Sequence, residues 1–189
     1  MPLTQLDKTP ALVVIDLQKG IVGIPTAHPA DQIVAQAAEL ARAFRAHRLP
    51  VVLVHVTGGA PGRTQTPMPK GPRAADWAEL VPQLDRQPTD YVLTKQRWGA
   101  FTGTNLDDYL RQHGVTQIVV AGISTSIGVE SSARCAYELG YNVVLATDAM
   151  TDRDAESHRH SVEKIFPRLG ETTSTAEVVK MLGARGKRD

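Results

Sequence analysis

Apolar runs and amphipathic stretches alternate along the chain. Ala11–Ile15 (ALVVI) is short, β-branched and continuous, the pattern of a strand buried on both faces. Ala30–His47 switches to helical spacing, with Ile33, Ala37, Leu40, Ala41 and Phe44 on one stripe. Val51–Val56 (VVLVHV) follows Pro50 as the next strand. Gly58–Pro72 is rich in Gly, Pro and Thr and has no periodicity, so it reads as a long loop, a common form of functional lid. Asp90–Thr94 (DYVLT) is a third strand. Asn105–Gln112 is a short helix with Leu106, Tyr109 and Leu110 inward.

Gln117–Val144 carries the densest signal. A buried strand, Ile118–Ala121, meets a small-residue turn, Gly122–Ile127, and a helix follows from Gly128 to about Glu138. Gly140 closes that helix and a fifth strand runs Asn142–Thr147. Asp154–Phe166 is helical up to Pro167. Gly170–Thr173 is a last short strand, Thr175–Leu182 a terminal helix, and GARGKRD a frayed tail. Strands alternating with helices predict right-handed crossovers and an α/β fold. The expected form is a three-layer α/β/α sandwich around a mostly parallel, Rossmann-like sheet of about six strands. No linker splits the chain, so residues 1–189 are expected to form one domain.

Composition narrows the function. A net charge of +1 gives no electrostatic case for nucleic acid or an anionic membrane. No apolar run approaches the ~20 residues of a membrane span. One cysteine, Cys135, excludes an internal disulfide and any multi-cysteine metal site. The amino terminus enters a strand within about ten residues and lacks the basic start and cleavage site of a signal peptide, so a cytoplasmic protein is expected.

Open α/β sheets collect their chemistry at the carboxyl ends of strands. Asp16 follows ALVVI, Lys95 follows DYVLT, and Gly122–Gly128 follows IVVA. A carboxylate at the end of a buried strand needs a partner to ionise, and Lys95 can supply it. The two are either reactive groups or a structural ion pair.

Three segments taken together resemble the isochorismatase-like hydrolase superfamily: VVIDLQ, KQRWGAFTGTNLDDYLRQHGV and AGISTSIGVESSARCAYELGYNVVLATDAMTD. The likeness runs from about Ala11 to Leu182. It implies an Asp–Lys–Cys triad in which the Asp is a base, the Lys stabilises charge and the Cys attacks a carbonyl. Asp16 and Lys95 match the first two. Gly128 stands at the cysteine position, and a glycine has no nucleophile to offer. Cys135 lies two helical turns further on, about 10 Å deeper, and reads as a core residue. True isochorismatases resemble this pattern: they keep the Asp and Lys and carry Ile-Gly there, as in Ile127-Gly128. Such enzymes release pyruvate from a vinyl ether without a covalent intermediate. On that resemblance Asp16 is the general acid, Lys95 pairs with it or binds a substrate carboxylate, and Gly128 makes room for substrate. The chain departs from the pattern at Ser124-Thr125-Ser126, where those enzymes carry Tyr-Ala-His. It departs again at Gly20 and Ile21, where they carry an aromatic.

Gln18, Trp98, Phe101 and Ser124–Ile127 complete the candidate substrate-binding set, although Phe101 reads better as packing. Ser126 is the alternative nucleophile. Helix-cap and turn roles suit Ser124, Thr125 and Ser126 better. Arg63, Lys70 and Arg73 make the long loop basic, which suits a dicarboxylate or simply a solvated surface. His55 ends the second strand and can face the site. His158 and His160 fall on different helix faces, and no metal is inferred. No Gly-x-Gly-x-x-Gly fingerprint is present, and no cofactor is expected. The resemblance further implies a homodimer or larger assembly, and a non-proline cis peptide near Ile123–Ser124. Three functions remain open. They are vinyl-ether hydrolysis of a small carboxylated substrate, amide or ester hydrolysis through Ser126 or activated water, and non-catalytic metabolite binding.

Overall fold

Apolar alternation within each strand builds two cores on one sheet. The structure is a computed structural model and describes residues 3–66 and 72–185. The strands are β1 (Pro10–Ile15), β2 (Val51–Val56), β3 (Tyr91–Lys95), β4 (Gln117–Ile123), β5 (Asn142–Thr151) and β6 (Glu171–Thr173). They pair in parallel in the order β3-β2-β1-β4-β5-β6. The helices are α1 (Lys19–Val22), α2 (Ala30–Ala46), α3 (Leu106–Gln112), α4 (Glu130–Glu138), α5 (Ala155–His160) and α6 (Thr175–Arg185).

Successive strand residues point to opposite faces. Leu12, Val14, Val119 and Val144 join the buried stripes of α2 and α6 on one side. Ala11, Val13, Ile15, Val120 and Leu145 join α3, α4 and Phe166 on the other. β1 is buried along its whole length, as its unbroken apolar run requires. Leu40 and Phe44 of α2 are fully buried, each removing apolar surface worth about 1.5–3 kcal/mol. The predicted α/β/α layering and parallel sheet are observed.

Several boundaries differ from the sequence reading, among them β3, which runs Tyr91–Lys95 and so includes the lysine expected to follow it. The helix expected at Gly128 begins earlier, as one π-turn over Thr125–Val129 that leads into α4. The helix expected to stop at Pro167 continues from α5 through a π-turn at Ser161–Ile165 and a 3-10 turn at Phe166–Arg168. Proline is tolerated there because it opens the 3-10 turn, where its missing N–H is not needed. β5 continues to Thr151 through an irregular register between Val120 and Gly122 of β4. The polar pair Thr147-Asp148 reads as a strand end, but Asp148 turns out to accept from the Thr175 backbone N–H at 2.8 Å, at the start of α6. Of the expected frayed tail, Gly183–Arg185 belongs to α6 and residues 186–189 lie outside the described residues.

The sheet order places the switch point between β1 and β4, whose chains leave toward opposite edges. The crevice beyond their carboxyl ends is where such sheets bind ligands. No helix among the described residues is long and apolar enough to cross a membrane.

Candidate active site

Asp16 is the first residue beyond β1 and Lys95 the last of β3, with β2 between them. The lysine reaches across that strand to place Nζ 2.7 Å from Asp16 Oδ2. Nζ also donates to the Arg97 carbonyl at 3.1 Å. The side chains are 8% (Asp16) and 2% (Lys95) exposed, so the ion pair is held away from solvent. Asp16 Oδ1 is buried and has no hydrogen-bond partner among the described residues. An unpartnered buried carboxylate oxygen is costly, and a proton or a substrate group relieves it. Burial pushes the Asp16 carboxyl up to about 6, against the opposing pull of the Lys95 charge and hydrogen bond. The Asp16 backbone is left-handed, with φ +53°, a region Asp tolerates better than most residues.

The β4 carboxyl end forms the facing wall. Gly122 has φ +123°, and a Cβ there would meet the Ile15 carbonyl oxygen at 2.0 Å, so only glycine lets β1 and β4 approach this closely. The expected cis peptide joins Ile123 and Ser124. Gly128 is buried, and a Cβ there would lie 2.9 Å from Ile15 Cγ2, 3.3 Å from Asp16 Oδ2 and 3.6 Å from the Trp98 carbonyl oxygen. Asp16, Lys95, Gly128 and the Arg97–Trp98 backbone therefore converge on one point. Trp98 is 61% exposed and Ile127 is also exposed.

Other candidates are placed differently. Gln18 is fully buried. It donates to the Val56 and Trp77 carbonyls at 3.1 and 3.2 Å and accepts from the Val56 N–H at 2.8 Å. Its amide ties β2 to the 74–79 turn and is not offered to a substrate. Phe101 is buried with Leu106, Leu110 and Tyr141 in the core, as packing rather than as a pocket wall. Thr125 is fully buried and its hydroxyl is held by His158 Nδ1 at 2.8 Å. Ser126 donates both its N–H (2.7 Å) and its hydroxyl (2.8 Å) to Asp152 Oδ2. The His55 ring nitrogens are both engaged, with the Ala78 carbonyl at 2.8 Å and Thr94 Oγ1 at 2.7 Å. Cys135 is half-buried, and burial pushes its thiol up. Arg63 is exposed, and Lys70 lies outside the described residues.

Asp152 and His158 brace the Thr125–Ser126 turn, a role that the sequence pattern does not announce. Asp152 is buried at the end of the extended β5, where it fixes Ser126 and accepts the Ala27 N–H through its carbonyl at 2.8 Å. His158 meets the His28 ring edge-on at a centroid distance of 4.7 Å. Burial and the neighbouring His28 both push His158 down. The only available signal is the TDAMTD segment, and it becomes meaningful once β5 is known to run to Thr151. Among the described residues no three His, Cys, Asp or Glu side chains converge as metal ligands. A depression of about 450 Å³ at the opposite edge is lined by Gln5, Gln117, Asn142 and Glu171 and shares no residue with the pair.

The acid–amine pair lies at the carboxyl ends of β1 and β3, beside the crevice where open α/β sheets bind ligands. Comparison with known proteins gives the class. The isochorismatase domain model matches residues 10–177. The isochorismatase family protein YwoC of Bacillus subtilis (strain 168) is 44% identical over 179 residues, 91% of this chain and 93% of its own length. The structure of an isochorismatase family protein from Burkholderia thailandensis superposes with a TM-score of 0.90 at 44% identity, covering 95% of this chain and 98% of that one. N-carbamoylsarcosine amidase from Thermoplasma acidophilum superposes with a TM-score of 0.73 at 27% identity, covering 88% and 96%. The chain belongs to the isochorismatase family and is a hydrolase of that family.

Proposed function

We propose that this protein hydrolyses a vinyl ether in a small carboxylated substrate, releasing pyruvate, with Asp16 as general acid and no protein nucleophile. One observation carries the reading: a buried carboxyl, raised to about 6, keeps one oxygen unpartnered beside a glycine. A carboxylic acid raised to about 6 keeps a protonated fraction well above that of an ordinary carboxyl in mildly acidic solution, which suits proton donation.

The protonated Asp16 delivers its proton to the methylene carbon of the enolpyruvyl group. The double-bond electrons form the new C–H bond and leave an oxocarbenium centre at the ether-bearing carbon. Water adds there and returns a proton to Asp16. The hemiketal then collapses into pyruvate and an alcohol, which balances as one water consumed. Lys95 holds Asp16 in place and offsets its charge once the proton has left. Gly128 corresponds by motif to the cysteine of related amidases, and its missing side chain lets Ile15 and Asp16 pack close where the Cβ of a cysteine would press on both. A homo-oligomeric state is part of the same proposal, carried by the family resemblance.

Amide hydrolysis through Ser126 is the second reading, favoured by the amidase among the structural neighbours. Against it, the Ser126 hydroxyl and N–H are both bound to one Asp152 oxygen, a clamp on the turn rather than an activated nucleophile. The test is pyruvate release from isochorismate, coupled to lactate dehydrogenase, with wild type and Asp16→Asn. Turnover lost in the variant supports the proposal. No pyruvate from folded wild type removes isochorismate, and an amide and ester panel with Ser126→Ala decides the second reading.

A further inference from the structure

His158 and His160 stand two positions apart on different helix faces, and the fold instead sets His158 of α5 beside His28, in the loop before α2. The two ring centroids are 4.7 Å apart. Each ring is held from behind by a fully buried threonine hydroxyl. His158 Nδ1 is 2.8 Å from Thr125 Oγ1, and His28 Nδ1 is 3.0 Å from Thr151 Oγ1. The Thr151 hydroxyl also accepts the His28 N–H at 3.1 Å and donates its one proton to the Asp152 carbonyl at 3.4 Å. His28 Nδ1 is then the protonated ring nitrogen, and Nε2 carries the lone pair. Neither Nε2 has a hydrogen-bond partner among the described residues. Both can be reached from solvent, since His28 is exposed and His158 Nε2 is not among the buried unpartnered atoms.

A hydroxyl on one ring nitrogen that fixes orientation, with the other nitrogen left open, is how proteins prepare an imidazole for a metal ion. The spacing fits as well. Imidazole nitrogens meet Zn²⁺ at about 2.0–2.1 Å, which sets each ring centroid about 3.2 Å from the ion. Rings 4.7 Å apart then subtend about 95° at a shared ion, close to both tetrahedral and octahedral angles. Asp152 is within electrostatic reach of His158 and favours a cation there. Its own oxygens are taken, one by Ser126 and the other by the Arg153 N–H, so it supplies field and not a ligand. Two imidazoles suit transition metals, whereas Mg²⁺ and Ca²⁺ take oxygen ligands. His47 and His113 also tie Nδ1 to a carbonyl, at 2.8 Å in each, but neither meets a second imidazole among the described residues.

We infer that His28 and His158 bind one zinc-class divalent cation through their Nε2 atoms, with water completing its coordination. The ion joins the loop before α2 to α5 and, through Thr125, to the turn that follows β4. The hydrogen bonds of the two rings involve neither Asp16 nor Lys95, so the inference does not rest on the proposed reaction.

The test reads metal binding and not turnover. Zinc chloride and magnesium chloride are titrated calorimetrically into the full chain after chelator treatment. Wild type is expected to bind one Zn²⁺ per chain and no Mg²⁺, and its melting temperature should rise with zinc. His28→Gln and His158→Gln should each weaken zinc at least tenfold, and the double variant should bind no more weakly than either alone. His160→Gln, exposed on the same helix, should bind as wild type. Zinc should also shift the ring-proton resonances of His28 and His158 together. Should His158→Gln fail to fold, the exposed His28→Gln variant and the resonances carry the test. No zinc binding by wild type, wild-type affinity in His28→Gln, an equal loss in His160→Gln, magnesium bound as tightly as zinc, or a shift confined to one of the two rings each overturns the inference.

Discussion

Lys95 Nζ and Asp16 Oδ2 sit 2.7 Å apart across an intervening strand, and the second Asp16 oxygen has no hydrogen-bond partner among the described residues. That asymmetry leaves one carboxyl oxygen able to carry a proton or meet a substrate group. It gives the pH dependence of the enzyme a definite sign. A general acid works only while protonated, so kcat/KM should fall as pH rises through about 6. An Asp acting as base would instead give kcat/KM rising through the same value. A pH–rate profile between 4.5 and 8.5, at roughly half-unit steps, decides between them.

The same shift predicts a stability trend. Asp16 holds its proton more tightly folded than unfolded, so its contribution is fully present below about 3.8 and lost as pH rises through about 6. Urea denaturation at pH 4 and pH 7 should show wild type losing up to about 3 kcal/mol relative to Asp16→Asn across this window. Parallel curves for the two proteins would sink the assignment of the shift to Asp16.

Lys95→Met should act on both fold and chemistry. Removing one partner of a buried pair typically costs about 3–5 kcal/mol. Losing the pull of Lys95 also raises Asp16 further, so the high-pH limb of the kcat/KM profile should move upward. A limb that stays in place would show that Lys95 does not govern the acid.

Gly128→Ala tests the space beside Asp16. The added methyl would meet Ile15 Cγ2 at 2.9 Å and Asp16 Oδ2 at 3.3 Å, distances that force a neighbour to shift. Overpacking of this kind typically costs about 1–3 kcal/mol, read as a lower melting temperature together with a lower kcat. Gly128→Cys suffers the same contacts. If it nonetheless hydrolyses amides, the alignment of Asp16 and Lys95 for acyl transfer is demonstrated.

Asp152→Ala should leave the Ser126 N–H and hydroxyl without their acceptor, a loss of about 1–3 kcal/mol by thermal melting. Asp152→Asn keeps a carbonyl oxygen and should restore much of it. Equal melting temperatures for the alanine variant and wild type would show that the turn does not depend on this clamp.

Much of the sheet is readable from the sequence because its central strands carry apolar runs, ALVVI, VVLV and IVVA. Asp16 and Lys95 are readable too, since a charge at the end of such a run is costly to bury unless it is paired or reactive. The outer shell of the site is not. Gln18 and Thr125 are polar residues beside the motif, and only tertiary structure reveals that backbone carbonyls and His158 have already claimed them. Asp152 is hidden because Thr147-Asp148 mimics a strand end, whereas β5 carries on through an irregular pairing that no periodicity encodes. Phe101 shows the limit from the other side: an aromatic a few residues beyond Lys95 suits a pocket wall or a core equally well until packing decides.

The lysine's reach over β2 has a consequence for how the enzyme comes into being. Asp16 and Lys95 are 79 positions apart in sequence. Neither adjacent strand pair alone brings them together: β1 must dock on β2, and β2 on β3, in the register Ile15–Val54 and Val56–Lys95. A slip of one residue at either seam would turn Lys95 to the opposite face of the sheet. During refolding, competence therefore emerges with the last of these long-range pairings, and regained turnover reports completion of the whole half-sheet rather than of any local element.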